Sequence, residues 1–115
     1  MTLQEFYAQI GGSYADTVRR LCSESFVLRF VKKYPANPSF DELCEAVDRS
    51  DWESAFRAAH TLKGVSGNLA MTELFGLMTQ QVAAFRANDW DKAVELMPEI
   101  TIKYETVLAA IQTLD

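Results

Sequence analysis

Apolar residues return every three or four positions along almost the whole chain, and no stretch alternates apolar with polar in the two-residue rhythm of a half-buried strand. A chain patterned this way must bury helical stripes against other helices. Leu3, Phe6, Tyr7 and Ile10 form the first stripe, ended by Gly11 and Gly12. Ser13 can cap a second segment carrying Val18 and Leu21. Val27, Phe30, Val31 and Tyr34 make a third stripe, after which Pro35 and Pro38 bracket a break. Ser39, with Glu42 three residues on, gives a capping-box pattern for a helix that offers Phe40, Leu43 and Val47 to a core. Asp51 caps a long helix running to about Ala70, and Thr72 starts another with Leu74, Leu77, Met78 and Phe85 inward.

Asn88 and Asp89 separate that helix from a last one, whose stripe is Val94, Met97, Ile100, Tyr104, Val107, Leu108 and Ile111. Pro98 falls inside it and loses the bond to the carbonyl four residues back, so a kink or break is expected near Val94. Short connections between helices make neighbours antiparallel. The expectation is an all-α fold: an antiparallel four-helix bundle with short additional N-terminal helices, one domain over residues 1–115. The N-terminal stripe of Leu3, Phe6 and Ile10 can serve either packing on the bundle or association.

Composition narrows the function. With 115 residues, 49% of them hydrophobic, the chain can bury one core. Eleven Lys and Arg against sixteen Asp and Glu leave a net charge of -5, the wrong balance for neutralising nucleic-acid phosphates. No basic region followed by an apolar stretch opens the sequence, and no apolar run approaches the roughly 20 residues of a membrane span. A soluble, cytoplasmic monomer is the expectation. Cys22 and Cys44 read as reduced thiols in or near the core. Trp52 and Trp90 read as core or lid residues, and Asp48, Asp51 and Glu53 as capping and solvated surface.

The chain has one histidine, which removes most His-based metal sites and any relay between imidazoles. Ala55, Ala59, Leu62, Ser66 and Leu69 mark the core direction of its helix, and on that wheel His60 lies about 130° away. Gly64, Gly67 and Met71 follow His60 along the exposed stripe, with Lys63 between that stripe and the core. Each helical glycine costs about 1 kcal/mol relative to alanine, so two beside the lone histidine need a reason. Clearance for a partner is one. The other is that Lys63 and Gly64 simply end the helix, but Ser66 and Leu69 continue the apolar phase without a slip.

An exposed imidazole can accept a phosphoryl group, and a nearby ammonium can offset its charge. Nothing here provides for nucleotide: there is no phosphate-binding glycine loop and no aspartate pair suited to Mg²⁺. Such a nucleophile would be a carrier that depends on partners.

At these residues the sequence resembles the histidine-containing phosphotransfer (HPt) family, whose hallmark is H-x-x-K-G within a helix followed by small residues. Here it runs from His60 through Lys63, Gly64 and Gly67 to Ala70. Ala58 and Ala59, the spacing of Leu74 and Leu77, Asp89-Trp90 and Met97-Pro98-Glu99 add to a likeness over residues 40–112. The resemblance implies a four-helix bundle whose histidine shuttles phosphate between receiver-domain aspartates. His60 would be phosphorylated and Lys63 would attend the phosphoryl group. Gly64 and Gly67 would give the receiver access, with Arg57 and Met71 bordering its docking surface. No cofactor would be held here, the Mg²⁺ belonging to the receiver. Many family members orient the imidazole with a Gln or Glu on the facing helix. That place falls at Val82 here, with Gln80 and Gln81 just before it, and Gln81 is the candidate. The alternative is a helical adaptor or kinase inhibitor that uses the bundle for binding alone.

Overall fold

In a computed structural model describing residues 1–115, the stripes become eight helices: α1 (Leu3–Ile10), α2 (Tyr14–Leu21), α3 (Glu24–Lys33), α4 (Ser39–Asp48), α5 (Trp52–Asn68), α6 (Thr72–Arg86), α7 (Trp90–Glu95) and α8 (Met97–Ile111). No strand is present. An antiparallel four-helix bundle is built from α4, α5, α6 and the bent pair α7–α8, with α5 packed along both α4 and α6. From α1, Phe6, Tyr7 and Ile10 are fully buried and join Leu62, Met78 and Ile100 in one core. The N-terminal stripe therefore packs on the bundle, where α1 lies against α8.

Three turns of one design connect the bundle helices. Ser50, Ala70 and Asn88 adopt left-handed φ angles of 53°, 49° and 57°. In each turn the next N–H reaches back five residues: Asp51 to the Ala46 carbonyl, Met71 to Ser66 and Asp89 to Ala84, at 2.8 to 2.9 Å. This is the Schellman closure, which satisfies carbonyls that a helix end leaves free. The residue donating that bond is also the N-cap of the following helix. Asp51 and Asp89 accept from the N–H groups of Ser54 and Lys92, which fixes the start of α5 and α7.

Pro98 does interrupt the last helical stretch. The break falls at Leu96, whose N–H turns to the carbonyls of Lys92 and Val94, and the proline sits in the first turn of α8, where its missing N–H does no harm. Four expectations are corrected. Val94 is 39% exposed and Phe30 45% exposed, so neither belongs to the buried stripe. Ser39 is the first residue of α4 and not its cap; the Asn37 side chain accepts from the Ser39 N–H instead, at 2.9 Å. Cys22 is exposed, while Cys44 is partly buried, and both are free thiols.

The turn between α5 and α6 is held from outside the bundle. The Tyr7 hydroxyl donates to the Leu69 carbonyl at 2.6 Å, and Thr17 Oγ1 donates to the same carbonyl at 2.9 Å. The Ser13 N–H donates to Ala70 at 2.9 Å and the Glu73 N–H to Gly11 at 3.1 Å. Arg20 adds a bond from its guanidinium to the Gly67 carbonyl. The end of α5 and the start of α6 are thereby fixed by groups from α1, α2 and the link between them.

Candidate functional site

The helix that carries the lone histidine runs unbroken through both of its glycines, from Trp52 to Asn68. Its buried face is made of Ala55, Ala58, Ala59, Leu62 and Ser66. Such small residues let α4 and α6 approach closely, and their packing offsets the cost of Gly64 and Gly67. His60 projects from the opposite side and is exposed, as the wheel predicts. No protein group hydrogen-bonds its ring. The nearest aromatic, Phe56, stands one turn earlier, with ring centroids 6.0 Å apart and planes inclined at 42°. The Arg86 guanidinium, from the end of α6, lies 5.7 Å from the Phe56 ring centroid. Together with Arg57 and Thr61, these side chains form a shallow groove at His60. Arg57 is exposed and reaches Glu53 at 3.9 Å, a surface pair that holds it only weakly.

On the other side of His60, Gly64 is exposed, and a Cβ built there would meet nothing within 4 Å. Gly67 differs: a Cβ there would stand 2.8 and 2.9 Å from two ring carbons of Phe75, which lies across the helix at that point. The Lys63 ammonium lies over the same Phe75 ring, 6.0 Å from its centroid, and forms no ion pair. Arg20 of α2 borders a second groove on this side, with Gly64, Gly67 and Phe75. Lys63, Arg57 and Arg86 thus bring positive charge around an imidazole in a protein of net charge -5.

Among the sequence candidates, His60, Lys63, Gly64, Gly67 and Arg57 share one side of α5. Met71 does not border it. The helix ends at Asn68, Ala70 reverses the chain, and Met71 turns inward to become fully buried at the start of α6. Gln81 does not orient the imidazole either. It is fully buried on another face of α6, with Nε2 donating to the Ala93 carbonyl and the Met97 sulfur, each at 3.0 Å. Its Oε1 has no partner. Gln80 is exposed in a groove toward α8, and Val82 is buried. The sequence reading missed Phe56, Phe75, Arg86 and Arg20. Phe56 alone had a local signal, four residues before His60 on the same helical face; the other three come from neighbouring helices.

What the arrangement can do chemically follows from its parts. An unshielded imidazole offers a free nitrogen lone pair, cations flank it, and one approach is clear of side chains. No group of three or more His, Cys, Asp or Glu residues is arranged to hold a metal ion, and no helix is long and apolar enough to cross a membrane. A family model described as the Hpt domain matches residues 36–113. No curated protein and no solved structure gives a significant match.

Proposed function

The chain belongs to the Hpt domain family, whose members carry out histidine phosphotransfer in phosphorelays, and from this premise we propose that His60 is the residue that takes up and passes on the phosphoryl group. The observation that carries the reading is the setting of the protein's only histidine: exposed, free of protein hydrogen bonds, flanked by Lys63 and open above Gly64.

The donor is an aspartyl phosphate of a receiver domain. A ring nitrogen of His60 attacks phosphorus, the N–P bond forms as the P–O bond to the aspartate breaks, and the carboxylate leaves. The proton on the other ring nitrogen goes to water. Transfer to a second receiver runs the same exchange in reverse. Lys63 offsets the charge of the phosphoryl oxygens on His60, and Arg57 and Arg86 add positive potential at the groove. Gly64 leaves the approach to phosphorus unobstructed. Phe75, lying over Gly67, is the surface a receiver meets on that side of His60, and Arg57 borders the docking surface on the other side. Mg²⁺ belongs to the receiver. The protein acts as a cytoplasmic monomer and carries the phosphoryl group without a nucleotide of its own.

The test is incubation with a receiver domain bearing a radiolabelled phosphoryl group on its aspartate. An acid-labile label is expected on the wild-type chain and none on His60→Gln. Label retained by a folded His60→Gln variant overturns the assignment to His60, and absence of label on the wild-type chain leaves a binding-only adaptor as the better description.

A further inference from the structure

Resting on the phosphocarrier reading, we propose that Phe75 is a positioning residue for phosphoryl transfer: seated on the bare backbone of Gly67, its ring holds the Lys63 ammonium beside His60. Three observations meet here. A side chain at position 67 would stand 2.8 Å from the ring, so glycine is what allows Phe75 to lie against α5. The Lys63 ammonium lies 6.0 Å from the ring centroid, at the reach of a cation–π contact. Lys63 has no carboxylate partner to hold it otherwise.

The chemistry gives this contact a purpose. A lysine stem has four carbons and many rotamers, and an unrestrained ammonium spends most of its time in bulk water. A carboxylate would restrain it, but would also neutralise the charge the phosphoryl group needs and add its own repulsion. A ring face restrains the ammonium while leaving its charge intact, and the weak attraction releases it to a phosphoryl dianion without a large cost. Lys63 stands one turn from His60, and Phe75 reaches it from α6, so this hold depends on the fixed register of the two helices. Glycine at 64 and glycine at 67 then serve different ends, the first an open approach and the second a seat.

The test uses the full chain with radiolabelled phosphoramidate as donor. The N–P bond to His60 forms as the donor P–N bond breaks, and ammonia leaves with the displaced ring proton. At saturating donor, Phe75→Leu is expected to slow labelling of His60 by about two- to fivefold, the worth of an exposed cation–π contact, with KM little changed. Phe75→Tyr keeps the ring face and should keep the wild-type rate. Gly67→Ala displaces the ring while leaving it in the chain, and should copy Phe75→Leu. In a Lys63→Met background, Phe75→Leu should have no further effect. A wild-type rate in Phe75→Leu, or an equal loss with and without Lys63 in variants of unchanged circular dichroism, overturns the positioning role alone. Failure of wild-type His60 to take label overturns the phosphocarrier reading with it.

Discussion

A methyl group added at Gly64 would meet open space, while one added at Gly67 would run into Phe75, although the two positions are three apart on one helix. The difference separates two variants that sequence alone would treat alike. Gly64→Ala should stabilise the protein by about 0.5–1 kcal/mol through helix propensity, read as a higher urea midpoint. Gly64→Leu should keep that gain in stability yet slow transfer between receiver and His60 by about tenfold or more, because its side chain occupies the approach to phosphorus. Unchanged transfer in a folded Gly64→Leu would remove the clearance argument. The exposure of His60 was legible because the wheel of α5 is phased by five small or apolar residues without interruption. Gln81 was misjudged because a count along the chain gives its level on α6 but not its face. The amide turns toward Ala93, where α7 leaves a carbonyl in reach. Met71 was misjudged because the same wheel was extended past Asn68, through a turn that the sequence does not announce.

That turn belongs to a set of three, and only one member carries a recognisable signal. Asn88 is a residue type that tolerates the left-handed region, whereas Ser50 and Ala70 are not marked for it. Ala70→Gly should therefore relieve backbone strain and stabilise the protein by about 1 kcal/mol in urea titrations. The bonds from α1 and α2 to the α5–α6 turn were equally hidden, since they pair residues as far as 62 positions apart. Thr17→Val should cost about 1 kcal/mol by removing one of the two hydroxyls on the Leu69 carbonyl. Combined with Tyr7→Phe, the loss should exceed the sum of the single losses, because the first deletion leaves that buried carbonyl one partner and the second leaves it none. Additive losses would show that water replaces the missing donors. The helices themselves were readable because each stripe is buried on one side only. The turn-locking bonds were not, because they form only after the helices have met.

For the molecule as a whole, the buried tyrosines set a limit at high pH. Burial pushes the Tyr7 hydroxyl up to about 12, and burial moves Tyr34 in the same direction. The unfolded chain loses these protons first, near pH 10, so their contribution to stability is intact below that value and falls away as pH rises toward 12. Urea midpoints measured across this window should decline, and Tyr7→Phe should make the decline shallower. The same slope in both proteins would assign the alkaline loss to other groups. Sequence periodicity gave no hint of this, since a tyrosine on an apolar stripe can bury its ring with or without its hydroxyl. The two tryptophans have a consequence of another kind. Trp52 and Trp90, the only two in the chain, stack with centroids 5.4 Å apart and planes 8° from parallel. Rings this close couple as one chromophore, so dichroism and fluorescence taken in the tryptophan band, clear of the four tyrosines, report a single spot where α5 and α7 begin. His60 stands about 12 Å along the helix from that spot, which gives the protein a built-in optical gauge of its bundle end without a dye near the histidine.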